Sequence, residues 1–423
     1  MLVQLPTAEG RLAPLQLTPA LASPAVDALA ELSPTPPPAR PDQAAARNEP
    51  TSFNRLAYAA AHVVARPAAS AGEPPHSTGD SIDWDATLRF RRHLWSLGLG
   101  VAEAMDTAQR EILGWETSAH LLDLTLRAAG ERPGCRVIGG AGTDQLATAP
   151  PRLTGIIDAY VAQAEFIHAR GGRAILFPTE LLPRFHPEPR HYVAVYRTVS
   201  REVSRPVFVH WLGEMFAPAL KGYFPGQSFW ELMVDNPRIL GVKLSLLDQA
   251  REENIRRRLA RQGQVVLTGD DFNFPALIQG SVDRPAPEHL DGPALEFEGA
   301  RYPFGDYSHA LLGIFDGIAP VAARALACLA RGETEAYARL LEPTVPLSRH
   351  IFREPTRYYK AGLVFLAYLN GHQEYFHLLA DLERDRDILH YAELFRLAHA
   401  AGVLDDPVSA YGRFRPLLAA AGF

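Results

Sequence analysis

The 423-residue chain has few cysteines, no long basic run and no long apolar run. Its two cysteines, Cys135 and Cys328, are too few for a disulfide framework or a cysteine zinc cluster, and they indicate a reducing compartment. The formal net charge is −6, and the sequence indicates no basic surface that would neutralise nucleic-acid phosphates. No window approaches the ~18 apolar residues of a membrane span, and the amino terminus lacks a signal-peptide pattern. We therefore expect a cytoplasmic protein that binds neither nucleic acid nor membrane.

Composition and periodicity divide the chain into three regions. Residues 1–50 are rich in alanine and proline, with a proline run at 33–38, and predict an N-terminal arm with a flexible or polyproline-like stretch. Residues 51–330 alternate short apolar runs with amphipathic segments, which is typical of βαβ units. Residues 331–423 predict a helical region that packs on the preceding domain.

The middle region contains eight candidate strands. They are Leu56–Val64, Gly98–Ala104, Arg136–Gly140, Arg173–Phe177, Pro206–His210, Leu240–Leu244, Gln264–Thr268 and Ala310–Phe315. Eight strand-helix alternations in this length predict a (β/α)₈ TIM barrel, an α/β fold, rather than an open doubly wound sheet. No GxGxxG motif follows the first strand, which also disfavours a dinucleotide-binding fold.

Lys243 is the most informative polar residue, because it lies inside an apolar strand whose end would face the catalytic mouth of the barrel. Apolar surroundings would lower its pKa and make the amine a nucleophile towards a carbonyl group, with which it forms an imine. The alternative is a structural ion pair with Asp271 or Glu214.

Two further strand ends carry candidate catalytic and binding residues. His210 ends the fifth strand, where a neutral imidazole could move protons or simply pack as a hydrogen-bonded core residue. Asp270 and Asp271 follow the seventh strand, where they could bind substrate hydroxyl groups, tune the lysine pKa or cap the next helix. Capping is the default interpretation for one of the two.

A metal-dependent sugar isomerase or epimerase is an alternative on the same barrel. His210, Glu214, Asp271 and Glu103 together offer nitrogen and oxygen ligands, but no paired ligand motif accompanies them. We therefore predict no bound metal and no cofactor.

Several segments, taken in order, resemble the dihydrodipicolinate synthase and N-acetylneuraminate lyase superfamily of class I aldolases, and more closely its divergent dihydrodipicolinate synthase-like branch. The matching segments are Gly139–Thr143, Gly171–Pro178, Ser204–Trp211, Gly241–Lys243, Thr268–Asp271, His309–Pro320 and Glu354–Gly362. The resemblance implies that Lys243 forms the family's Schiff base and that the protein assembles as a homodimer or homotetramer.

The chain departs from the family pattern at two places. The fifth strand of the family typically ends in a Tyr-Asn pair whose tyrosine relays protons, and this chain has His210-Trp211 instead. The family's Gly-Thr-Thr-Gly-Glu loop, which holds a substrate carboxylate, is replaced by Ala104–Gln109 with Asp106 and Thr107. A carboxylate at Asp106 would disfavour an acidic substrate.

The first functional hypothesis is a Schiff-base lyase of the aldolase or dehydratase type that acts on a small carbonyl substrate, a keto acid or keto sugar derivative. Lys243 and His210 are its predicted catalytic residues. The predicted substrate-binding residues are Glu103, Asp106, Thr107, Glu214, Asp270 and Asp271. The alternatives are the metal-dependent isomerase and a metabolite-binding barrel without turnover.

Overall fold

A computed structural model describes residues 1–18, 53–67, 77–146, 152–224, 226–281 and 293–423. Eight parallel strands form a closed barrel in which each strand pairs with the next in the sequence, and the eighth closes on the first. From the first to the eighth, the barrel strands are Ala57–Ala60, Gly100–Glu103, Val137–Ala141, Arg173–Leu176, Val207–Leu212, Ile239–Ser245, Val265–Thr268 and His309–Leu312. The predicted TIM barrel is confirmed, and each observed strand overlaps its predicted segment.

Fourteen α-helices lie in the described part of the chain. Those up to the end of the barrel are Trp84–Ser96, Arg110–Gly130, Leu153–His168, Leu181–Phe185, Pro189–Glu202, Gly226–Met233, Gln249–Ala260, Phe274–Gln279 and Ile314–Ala330. Those after the barrel are Thr334–Leu341, Val345–Ile351, Tyr359–Leu369, Ile388–Ala400 and Pro407–Ala420. Aspartate caps fix several starts: Asp83 accepts from the Ala86 amide at 2.9 Å, and Asp248 accepts from the Arg251 amide at 3.0 Å. None of these helices is long and apolar enough to cross a membrane.

The barrel interior is filled by a core that is separate from the helix layer. Tyr58, Ile138, Phe208 and other inward side chains pack in this core. A two-stranded hairpin, Ala294–Phe297 with Ala300–Pro303, adds three buried side chains to it, those of Leu295, Phe297 and Tyr302. The hairpin closes the amino-terminal end of the barrel. The polar groups of the barrel interior therefore lie at the carboxyl ends of the strands. Sequence periodicity did not predict this hairpin.

The first residues of the chain are more ordered than their composition predicts. Leu2–Pro6 pairs with Leu12–Gln16 in an antiparallel hairpin. Leu5 is fully buried, and its carbonyl oxygen accepts a hydrogen bond from Arg396 at 2.7 Å. The hairpin thereby packs on the helix Ile388–Ala400 in the C-terminal region. The predicted proline-rich stretch at 33–38 lies outside the described residues.

Candidate active site

Lys243 lies on the sixth barrel strand, directly beside His210 on the fifth strand and Leu267 on the seventh. The residue is only 8% exposed. Gly269 allows this placement, because a methyl group there would come within 2.8 Å of the Lys243 Cε atom. The sixth strand alternates, so Val242 and Leu244 face the helix layer while Lys243 faces the barrel interior.

The Lys243 amine has neither a hydrogen bond nor an ion pair with any residue that the structure describes. Burial lowers its pKa from 10.5 to about 8, and the charges of Asp271 and Asp106 oppose part of that decrease. At pH 7 a pKa of about 8 leaves about a tenth of the amine neutral, against about three in ten thousand at the ordinary value. The Lys243 amine is therefore buried, has no hydrogen bond or ion pair with the described residues, and is partly in the neutral form that acts as a nucleophile.

Asp271 and Asp270 are neighbours with different environments. An oxygen of Asp271 accepts a hydrogen bond from the Ile314 amide at 2.8 Å, and burial raises the pKa of its carboxyl to about 7. Asp270 accepts from the amides of Phe272 and Asn273 at 2.9 and 3.0 Å. Asp270 thus stabilises the turn before the helix Phe274–Gln279, and Asp271 is the carboxylate whose charge acts on Lys243.

His210 lies deep in the barrel beside Lys243. Its Nε2 is 3.1 Å from the Ser245 hydroxyl, and its ring packs against Phe177 with centroids 5.4 Å apart. Its Nδ1 is buried without a hydrogen-bond partner among the described residues. Burial, together with the charge of Lys243, holds the pKa of His210 well below its usual value, so the ring is neutral at pH 7.

Residues of the C-terminal region contact the loop after the second barrel strand and hold it in place. Lys360 makes ion pairs with Asp106 at 2.9 Å and with Glu111 at 3.0 Å. Burial alone would lower the pKa of Lys360, but the charges of Asp106 and Glu111 raise it above its usual value. The neighbouring Tyr359 hydroxyl lies 2.9 Å from the Thr107 hydroxyl. Asp106 Oδ2 stays buried without a hydrogen-bond donor in the described part of the chain.

Two predicted binding residues lie apart from this group. Glu103 is fully buried in an ion pair with Arg91 at 2.8 Å, and it also accepts a hydrogen bond from Thr125 at 2.6 Å. It faces the helix layer because its neighbour Ala102 occupies the interior position on the same strand. The prediction of Glu103 as a substrate ligand is therefore corrected to a structural role. Glu214 is an exposed residue on the loop after the fifth strand.

The ligand set that the metal hypothesis required is not assembled. No three of His210, Glu214, Asp271 and Glu103 place ligand atoms within a shared coordination sphere. Among the described residues, the one group with suitable spacing is His377, Asp381 and Glu383, which lies in the C-terminal region. The barrel mouth therefore offers amine and carboxyl chemistry rather than a metal centre built from the predicted residues.

The sequence did not predict a catalytic or binding role for four residues that shape the mouth: Tyr359, Lys360, Ser245 and Gly269. The Ser245 hydroxyl follows the lysine by two positions on the same strand, and this period-two spacing places both side chains on one face. The segment with Tyr359 and Lys360 contributed to the family resemblance, but nothing in it indicated contact with a loop about 250 positions away.

These features define a (β/α)₈ barrel with a buried lysine on the sixth strand. The prophage protein YagE from E. coli K12, of the dihydrodipicolinic acid synthase family and solved in complex with pyruvate, is similar with a TM-score of 0.59 at 14% identity. The match covers 82% of this chain and 99% of that chain. Dihydrodipicolinate synthase from Aquifex aeolicus gives a TM-score of 0.56 at 14% identity, covering 83% and 99%.

A third similar structure is dihydrodipicolinate synthase from Oceanobacillus iheyensis, with a TM-score of 0.56, 12% identity, and coverage of 81% of this chain and 96% of that chain. At such identities the likeness shows the fold alone. The chain belongs to the family described as "Protein of unknown function (DUF993)", whose model matches residues 34–423. No curated protein matches the chain. The predicted resemblance to dihydrodipicolinate synthase barrels is confirmed at the level of fold.

Proposed function

We propose that the protein is a Schiff-base lyase of the aldolase or dehydratase type, in which the Lys243 amine attacks the carbonyl carbon of a small substrate. The observation that carries the proposal is the buried, unpaired amine of Lys243 with a pKa of about 8. An imine formed there withdraws electrons from the adjacent carbon, which favours loss of a proton or cleavage of a carbon-carbon bond. Water expelled on imine formation leaves through the mouth.

The mouth favours a substrate that carries hydroxyl groups next to its carbonyl. Asp106 Oδ2 is a buried acceptor without a donor among the described residues, and a substrate hydroxyl would satisfy it. Lys360 neutralises much of the Asp106 charge, so the repulsion of an acid substrate is weaker than the sequence predicts. We therefore place hydroxylated ketones and keto sugar derivatives first and simple 2-keto acids second.

The proposal is tested by trapping the imine with borohydride. The sequence has three lysines, Lys221, Lys243 and Lys360, so peptide mass spectrometry assigns an adduct without ambiguity. We expect hydroxyacetone or pyruvate plus borohydride to add mass to the Lys243 peptide alone. Lys221→Met is the matched control, because Lys221 is exposed and its loss should leave the adduct unchanged.

Two results would overturn the proposal. One is an adduct on another lysine, and the other is full turnover by Lys243→Ala once a substrate is known. Assembly as a homodimer or homotetramer remains a prediction, and sedimentation velocity measures it directly.

A further inference from the structure

Tyr359 brings a phenol from the C-terminal region to the barrel mouth. Its ring stacks on Phe352 with centroids 4.5 Å apart and meets Phe216 edge-on at 5.9 Å. A methyl group added to Gly313, at the end of the eighth strand, would lie 3.3 Å from the ring. The hydroxyl points to Thr107 in the loop after the second strand, at 2.9 Å. The phenol is thus held in one orientation by three separate parts of the barrel rim.

Tyr359 and Lys243 share their charged neighbours. The carboxylates of Asp106 and Asp271 act on the Lys243 amine, and the same two carboxylates act on the Tyr359 phenol. Asp271 accepts from the Ile314 amide, next to the Gly313 position that the tyrosine ring covers. Tyr359 thus lies over the carboxyl ends of the second, fifth and eighth barrel strands, the end of the barrel at which Asp106 and Asp271 also lie.

His210 is poorly suited to move protons at this end of the barrel. It is fully buried, one ring nitrogen faces Ser245, and its low pKa makes it a weak base. A phenol, by contrast, is protonated at neutral pH. It gives up its proton when a developing cation nearby stabilises the phenolate. Burial, followed by the charge of Asp106, raises the pKa of Tyr359 well above 10, so the phenol is protonated in the resting protein.

We propose that Tyr359 is the catalytic acid and base that serves Lys243, with Thr107 orienting its hydroxyl; this inference rests on the proposed function. In the first step the carbinolamine C–O bond breaks, the nitrogen lone pair forms the C=N bond, and Tyr359 gives its proton to the departing hydroxyl, which leaves as water. The phenolate then stands beside the iminium cation. In the second step it takes the proton from the carbon next to the imine, which yields the enamine and restores the phenol.

The test separates imine formation from proton transfer in wild type and in Tyr359→Phe. Borohydride trapping of hydroxyacetone or pyruvate on Lys243 measures the imine that accumulates at equilibrium. Exchange of the α-carbon protons in D₂O, followed by NMR, measures the proton transfer. Phenylalanine keeps the stacking on Phe352, and Tyr358→Phe is the matched control on the neighbouring residue. Thermal unfolding of each variant checks that the fold is retained.

We expect Tyr359→Phe to exchange α protons at least about 100-fold more slowly than wild type while the equilibrium yield of trapped Lys243 adduct stays within about twofold. Thr107→Val should slow exchange by a smaller factor, and Tyr358→Phe should exchange at the wild-type rate. A wild-type adduct together with undiminished exchange in Tyr359→Phe would overturn this inference alone. Absence of both adduct and exchange in the wild type would overturn the proposed function and this inference with it.

Discussion

Replacing Asp271 with asparagine perturbs the balance of charges that sets the pKa of Lys243. Burial lowers that pKa to about 8, and the charge of Asp271 is the largest effect opposing the decrease. Asparagine keeps an oxygen that can accept from the Ile314 amide, which Asp271 bonds at 2.8 Å, and it removes only the charge. We therefore expect the pKa of Lys243 to fall in Asp271→Asn.

The size of the change follows from the separation and the ionisation of the pair. No ion pair within 4.0 Å joins the two groups; for an assumed separation of about 6 Å, two unit charges interact by about 3 kcal/mol at an effective dielectric constant of about 20. Asp271 has a pKa of about 7, so it carries about half a charge at pH 7. A decrease of about one pKa unit in Lys243 would raise the neutral amine at pH 7 from about a tenth to about a half.

Trace acetylation across pH 5 to 10, read by peptide mass spectrometry, measures the reactive fraction of Lys243. The exposed Lys221 serves as the internal reference for reagent concentration. We expect a wild-type midpoint near pH 8 and an Asp271→Asn midpoint about one unit lower. Asp270→Asn is the control, because Asp270 raises the pKa of Asp271 and its removal should not lower the midpoint. A wild-type midpoint near 10, or a rise in Asp271→Asn, would refute the reasoning.

Gly269→Ala should slow imine trapping at least about tenfold, because its methyl would lie 2.3 Å from the Ser245 hydroxyl and 2.8 Å from Lys243 Cε; trapping at the wild-type rate would contradict the close approach. Glu103→Gln should lower the free energy of unfolding by about 3 kcal/mol without affecting trapping, since it leaves Arg91 buried without its ion pair. Urea denaturation measures that loss, and a change below about 1 kcal/mol would exclude it. Lys243→Met should stabilise the fold at pH 7 by on the order of 1 to 3 kcal/mol, because the folded pKa of about 8 lies below the ordinary value of 10.5. The difference in the free energy of unfolding between wild type and Lys243→Met should disappear as the pH rises from about 8 to 10.5, because the unfolded chain binds more protons than the folded one in this range. A difference that stays constant across this window argues against the pKa shift.

The barrel was predictable because each strand is a short apolar run with its own boundary signals. Period-two alternation also carries information about the site. With Ala102 inward, Glu103 must face the helices, and with Val242 outward, Lys243 must face the interior. The same alternation, applied to the second strand of the sequence, excludes Glu103 from the mouth of the barrel.

Other features of the site depend on contacts that no local pattern encodes. Asp270 and Asp271 are adjacent and chemically identical. Only the position of the Ile314 amide, which donates a hydrogen bond to Asp271, decides which of the two lies at the barrel mouth. Tyr359 meets Thr107 across 252 positions of the chain, through packing of the C-terminal helices. The hairpin Ala294–Phe297 with Ala300–Pro303 was missed for a similar reason, because its apolar residues are buried by inward side chains of barrel strands that are distant in the sequence.

A nucleophilic lysine among several carboxylates persists only if those carboxylates are engaged elsewhere. Asp106 is paired with Lys360 from the C-terminal region, Asp271 is held by a backbone amide, and Glu103 is sealed against an arginine in the helix layer. Each of these contacts keeps a carboxylate from forming an ion pair with the Lys243 amine, while the charges of Asp271 and Asp106 still raise its pKa in part. The reactivity proposed for Lys243 therefore depends on the C-terminal helices as well as on the barrel that surrounds it.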